Sequence, residues 1–110
     1  MNEKTVFAAR AELLALLANE KRLLIARHIL NRELSVNELA EKVSLSQSAL
    51  SQHLAKFRAA KAVTTRRDAQ TVYYSTSHDG IQKVLEVLED LFEPAADNKR
   101  DADIRIKKAL

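Results

Sequence analysis

The sequence predicts a mainly α-helical chain with one small β-hairpin, and three observations carry that prediction. Helical periodicity recurs along most of the 110 residues. Gly and Pro occur once each, which argues for helices joined by short turns and against a turn-rich sandwich. The period switches to extended, β-branched residues only between Val63 and Ser75.

The first helix is expected from about Lys4 to Ala18. Val6, Phe7, Leu13, Leu14 and Leu17 are expected on one face, with alanines filling in. Asn19 suits the N-cap of a second helix, about Glu20–Leu30, and Glu20 in its first turn complements the helix dipole. Leu23, Leu24, Ile29 and Leu30 are expected to face the core. Ser35 and Glu38 have the spacing of a capping box. They open a short helix running to about Val43, with Leu39, Ala40 and Val43 inward.

After the tight connection Ser44-Leu45, Ser46 caps a further helix, about Gln47–Ala60, whose buried side is Leu50, Leu54 and Phe57. Val63–Arg67 and Thr71–Ser75 read as two strands, joined by the three polar-turn residues Asp68-Ala69-Gln70. A last helix, about Asp79–Phe92, carries Ile81, Val84, Leu85, Leu88, Leu91 and Phe92 on one stripe and ends before Pro94. The order is that of a winged helix-turn-helix. Residues 95–110 read as a polar tail, frayed or weakly helical.

Composition narrows the function. Hydrophobic residues make up 46% and charged residues 30%, the balance of an ordinary globular domain. With no cysteine, disulfides, thiolate metal sites and cysteine nucleophiles are excluded. No apolar run is long enough for a membrane span, and the N-terminal residues do not read as a signal peptide, so a cytoplasmic protein is expected. The sole glycine, Gly80, rules out a Gly-rich phosphate loop, and His28, His53 and His78 are scattered. No catalytic residue, metal ligand or cofactor is therefore predicted.

The net charge of +3 is unevenly spread. Residues 42–74 carry Lys42, Lys56, Arg58, Lys61, Arg66 and Arg67 against Asp68 alone, while residues 75–97 are net acidic. One surface is thus suited to a polyanion and another is not.

A DNA-reading helix needs an inner face that anchors it and an outer N-terminal face with short hydrogen-bonding side chains. The helix after Ser46 has both. Leu50 and Leu54 anchor it, and Gln47, Ser48, Ser51 and Gln52 lie outward on its first turns. Ser46 and the helix N-terminus suit a phosphate, with Lys56 further along. Arg66, Arg67 and Gln70 sit on the hairpin, where a wing meets the minor groove or backbone. His53 is expected to be structural, packed near the hairpin. One of Tyr73 and Tyr74 should be core.

The runs Leu45-Ser46-Gln47-Ser48-Ala49-Leu50-Ser51-Gln52-His53-Leu54 and Arg66-Arg67-Asp68-Ala69-Gln70-Thr71-Val72-Tyr73-Tyr74-Ser75 resemble the ArsR/SmtB family of bacterial repressors. The resemblance covers roughly Leu13–Leu91. It implies a homodimer paired through the first and last helices. The surplus of large apolar residues there agrees, which makes Val6, Phe7, Leu13, Leu14, Leu17, Ile81, Val84, Leu85, Leu88, Leu91 and Phe92 the expected interface. Family metal sites are not matched. Ser35 and Asn37 stand where one site has cysteines, and around His78 the other pattern finds Thr76, Glu89 and Phe92, too few donors for a tetrahedral site.

The reading is then a DNA-binding transcriptional regulator, a repressor, that binds double-stranded operator DNA as a homodimer. Residues 1–94 form its DNA-binding and dimerisation domain and residues 95–110 its tail. Two alternatives are a winged-helix scaffold for protein–protein contacts and a repressor that answers to a small organic ligand.

Overall fold

The computed structural model describes residues 2–93 and the backbone of residues 105–106. Five helices pack around a three-stranded antiparallel sheet. The order is α1 (Glu3–Leu17), α2 (Glu20–Ile29), β1 (Leu34–Ser35), α3 (Val36–Val43), α4 (Gln47–Ala59), β2 (Thr64–Asp68), β3 (Thr71–Ser75), α5 (Asp79–Leu91), β4 (Phe92–Glu93) and β5 (Arg105–Ile106).

Helix starts follow the caps. Asn2 Oδ1 accepts from the Thr5 N–H and opens α1. Asn19 accepts from the Arg22 N–H and opens α2. Ser35 and Glu38 form the reciprocal capping box of α3. Ser46 accepts from the Ala49 N–H at α4.

Two basic side chains close helix ends that lack a glycine. Arg22 Nε donates to the Leu16 carbonyl at 2.6 Å, and Lys21 Nζ donates to the Val43 carbonyl at 2.6 Å. Each sets a cation against the negative end of a helix dipole.

The core is built from Leu16 and Leu17 of α1, Ile25, Ala26 and Ile29 of α2, Leu39 and Val43 of α3, Leu50, Leu54 and Phe57 of α4, Tyr74 of β3, and Ile81 and Leu85 of α5. Two faces differ from the sequence expectation. On α1 the apolar residues split: Leu13, Leu16 and Leu17 face the core, while Phe7 and Leu14 are 56% and 59% exposed. On α2, Ile25 and Ala26 are buried and Leu24 is exposed. In α1 alanine and leucine occupy most positions, and in α2 the apolar residues Leu23, Leu24, Ile25 and Ala26 run consecutively, so periodicity alone leaves the inward face ambiguous.

The sheet order is β1-β3-β2, with Leu34 opposite Tyr74, and Arg66 opposite Tyr73. The first strand, β1, was not expected from its two residues, which also serve as the lead-in to α3. The β2–β3 turn holds two residues, Ala69 and Gln70, and not three, because Asp68 pairs with Thr71. Ala69 takes the left-handed conformation the turn requires, with φ of 56°. Helix α5 stops at Leu91, one residue earlier than expected, and the chain turns extended at Phe92. Pro94 and most of the expected tail lie outside the described residues. Arg105 and Ile106 are not helical and pair with Glu93 and Phe92 as a short strand.

Thr76 fastens these parts together. It is 2% exposed. Its hydroxyl donates to the Ala62 carbonyl at 2.6 Å and accepts from the His78 N–H. Its backbone bonds Ile29 and Asn31. One side chain and its peptide groups thereby join the ends of α2 and α4 to the start of α5.

Candidate nucleic-acid interface

Helix α4 is mounted at both ends and in the middle. Its inner residues Leu50, Leu54 and Phe57 are buried. At the N-terminal end, the Gln47 amide donates to Asn37 Oδ1 on α3. Midway, Arg22 Nη1 of α2 lies 3.3 Å from His53 Nδ1. An arginine only donates, so this ring nitrogen accepts and His53 is neutral. Burial first, and then the Arg22 and Lys56 charges, hold its pKa below the ordinary value. His53 is therefore structural, as expected, but its partner is on α2 and not on the hairpin. Near the C-terminal end, Arg58 donates to the Tyr74 hydroxyl of β3. Tyr74 is the core tyrosine.

The face left outward is the one the sequence singled out. Gln47, Ser48, Ser51, Gln52 and Lys56 are all exposed. Gln47, Ser48, Ser51 and Gln52 form a row of uncharged donors and acceptors on a fixed helix, which suits base edges, and Lys56 follows as a cation. Ser46 is exposed too, but its oxygen already accepts the Ala49 N–H, so it has its hydroxyl proton to offer.

The wing divides its arginines. Successive side chains of a strand point to opposite faces. Arg66 lies across from Tyr73, on the outer face, and Arg67 across from Val72, on the face that carries Tyr74 toward α4. Arg66 is held in place. Its Nη2 and Nε donate to Glu33 at 2.6, 3.0 and 3.2 Å, and its guanidinium lies 4.4 Å from the Tyr73 ring centre. That pairing holds the Glu33 carboxyl below its ordinary range and raises Arg66. Arg67 and Gln70 are exposed.

Asn37, Glu33 and the Arg58–Tyr74 pair were not foreseen as parts of this surface. Their partners lie 10, 33 and 16 residues away in sequence, beyond the reach of local pattern.

His78 is the cap of α5. Its Nδ1 accepts from the Ile81 N–H, as a residue beside a helix start is expected to do. Among the described residues, no three His, Asp or Glu side chains lie close enough together to hold a metal ion. No helix among them is long and apolar enough to cross a membrane.

The expected dimer residues fall into two groups. Leu17, Ile81 and Leu85 are already buried within the chain. Phe7, Leu14 and Phe92 are exposed, and Val6, Leu13, Val84, Leu88 and Leu91 are half-buried. Val87 of α5, 55% exposed, joins this apolar surface.

The model of the bacterial regulatory protein arsR family matches residues 9–64. Nodulation protein NolR of Rhizobium meliloti is 48% identical over 99 residues, covering 90% of this chain and 81% of that protein. Transcriptional activator HlyU of Vibrio cholerae is 49% identical over 80 residues, covering 73% and 74%. The crystal structure of NolR from Sinorhizobium fredii superposes with a TM-score of 0.74 at 52% identity, covering 81% of this chain and 90% of that one.

Proposed function

This chain belongs to the arsR family of bacterial regulatory proteins, and on that premise we propose that it is a cytoplasmic repressor that binds a pseudo-palindromic operator as a homodimer. The observation that carries the proposal is the exposed row Gln47, Ser48, Ser51 and Gln52 on a helix anchored by Leu50, Leu54 and Phe57. These four side chains enter the major groove and read base edges. Lys56, Arg67 and Gln70 meet phosphates beside them, with Ser46 and the α4 N-terminus on the nearest one.

The exposed apolar surface of Phe7, Leu14, Val87 and Phe92 supports the dimer. Two copies related by a twofold axis set their reading helices on half-sites about 34 Å apart. Residues 1–94 supply both surfaces.

Selection of bound duplexes from a random pool tests the reading. The expected result is an inverted repeat, bound with an affinity that falls steeply as salt rises. Gln47→Ala weakens binding to that repeat by about 1–3 kcal/mol and relaxes base preference. Equal weakening on every sequence would make Gln47 a positioning contact. A reporter placed under the selected repeat separates repression from activation: its output rises when the gene for this chain is deleted.

A further inference from the structure

We propose that Glu33 sets the strength and salt response of DNA binding by keeping Arg66 out of the phosphate contacts. The inference rests on the DNA-binding reading above. Arg66 belongs to the basic stretch that the sequence offers to a polyanion, yet its charge is met inside the molecule.

The arrangement is built from all parts of the sheet. Arg66 comes from β2, Tyr73 beneath it from β3, and Glu33 from the residue just before β1. Both carboxylate oxygens face the guanidinium, through Nε and Nη2. This is the same fork geometry by which arginine holds a phosphate. Carboxylate and phosphate are therefore competitors for one set of donors. Asp68 adds negative charge nearby. The side chains of Arg66 and Glu33 remain 51% and 40% exposed, so solvent and DNA reach the pair, and the carboxylate occupies the fork first.

The salt dependence of binding reports this directly. Affinity falls with salt with a slope of about 0.9 per phosphate neutralised. An arginine already neutralised by Glu33 adds nothing to that slope. Releasing it adds about one contact.

Binding to a duplex of arbitrary sequence, measured across salt concentrations, tests the inference in four proteins: wild type, Glu33→Gln, Arg66→Gln and the double variant. Glu33→Gln is expected to bind about tenfold tighter at 50 mM salt and about threefold tighter at 200 mM, with a slope steeper by about 0.9. Arg66→Gln alone leaves the wild-type slope unchanged. The double variant returns to it. Circular dichroism confirms that each variant is folded.

A Glu33→Gln slope equal to wild type overturns the inference, and so does a slope reduced by about 0.9 in Arg66→Gln alone. A wild-type protein that binds no duplex removes the DNA-binding reading, and this inference with it. Wild-type binding that Glu33→Gln leaves unchanged removes only the role of Glu33.

Discussion

The Thr76 hydroxyl donates to the Ala62 carbonyl at 2.6 Å, across 14 residues of sequence, inside the core. One side chain there ties the end of α4, the end of the wing and the start of α5. Thr76→Val keeps the shape and removes the hydroxyl. It leaves the Ala62 carbonyl and the His78 N–H without their partner. We expect a loss of about 1–3 kcal/mol in urea unfolding, most of it recovered in Thr76→Ser.

Gly80 is explained by His78. A Cβ at residue 80 would lie 2.9 Å from His78 Cε1 and 3.1 Å from Leu13 Cδ2. Within a helix, Gly→Ala ordinarily gains up to about 1 kcal/mol. Here the ring that caps α5 has to move, and losing a cap costs about 1 kcal/mol. Gly80→Ala is expected to destabilise the wild type. In a His78→Ser background, where a small cap replaces the ring, the same substitution should cost less. Thermal unfolding of the four proteins gives the coupling, and additive effects would refute it.

The split face of α1 predicts two different outcomes for one kind of substitution. Leu14→Glu places a charge on the exposed side. It should leave a folded chain that sediments as a monomer and binds the operator poorly. Leu17→Glu puts the charge in the core, where Leu17 is 3% exposed, and should prevent folding. Sedimentation and circular dichroism distinguish the two. A Leu14→Glu dimer would place the interface elsewhere.

Stability should fall on mild acidification. Burial is the largest cause holding His28 and His53 below the usual value of 6.5, followed by Lys42, Arg32 and Arg27 around His28 and by Arg22 and Lys56 around His53. The unfolded chain takes up protons near that value and the folded chain only at lower pH. Stability is therefore level above this window and declines as pH drops through it. Glu33 and Glu38, held below 4.5 mainly by hydrogen bonds to Arg66 and Ser35, contribute above that pH. Their share is lost as pH falls through their lowered folded values. Urea midpoints across this range should show both declines, and His28→Gln with His53→Gln should remove the first.

Much of this architecture was legible in the sequence because it is written in local chemistry. Asn19, Ser35 with Glu38, and Ser46 are caps whose partners lie three residues on. The hairpin announces itself through β-branched residues. The inward faces of α1 and α2 were less legible, because leucine and alanine surround α1, Leu23 to Ala26 run consecutively in α2, and only the neighbouring elements choose a side. The exposed polar face of α4 could be named from spacing. What could not be named was its support: Asn37 beneath Gln47, Arg22 beside His53, and Glu33 across from Arg66. Those pairs exist only once the chain has folded. The same is true of the two arginines of the wing, which look equivalent in sequence and are separated by strand alternation.

Asn31, Ser44, Lys61 and Ala69 all adopt the left-handed conformation, with φ between 56° and 58°. Each stands where a helix or strand must reverse, and each costs roughly 1–2 kcal/mol relative to glycine if its side chain is unassisted. The chain thus carries an unspent reserve of thermal tolerance, which Ser44→Gly or Ala69→Gly would release without touching Gln47, Ser48, Ser51 or Gln52. At Lys61 the same exchange would remove a cation from just beyond the end of α4. There, durability and positive charge compete for a single position.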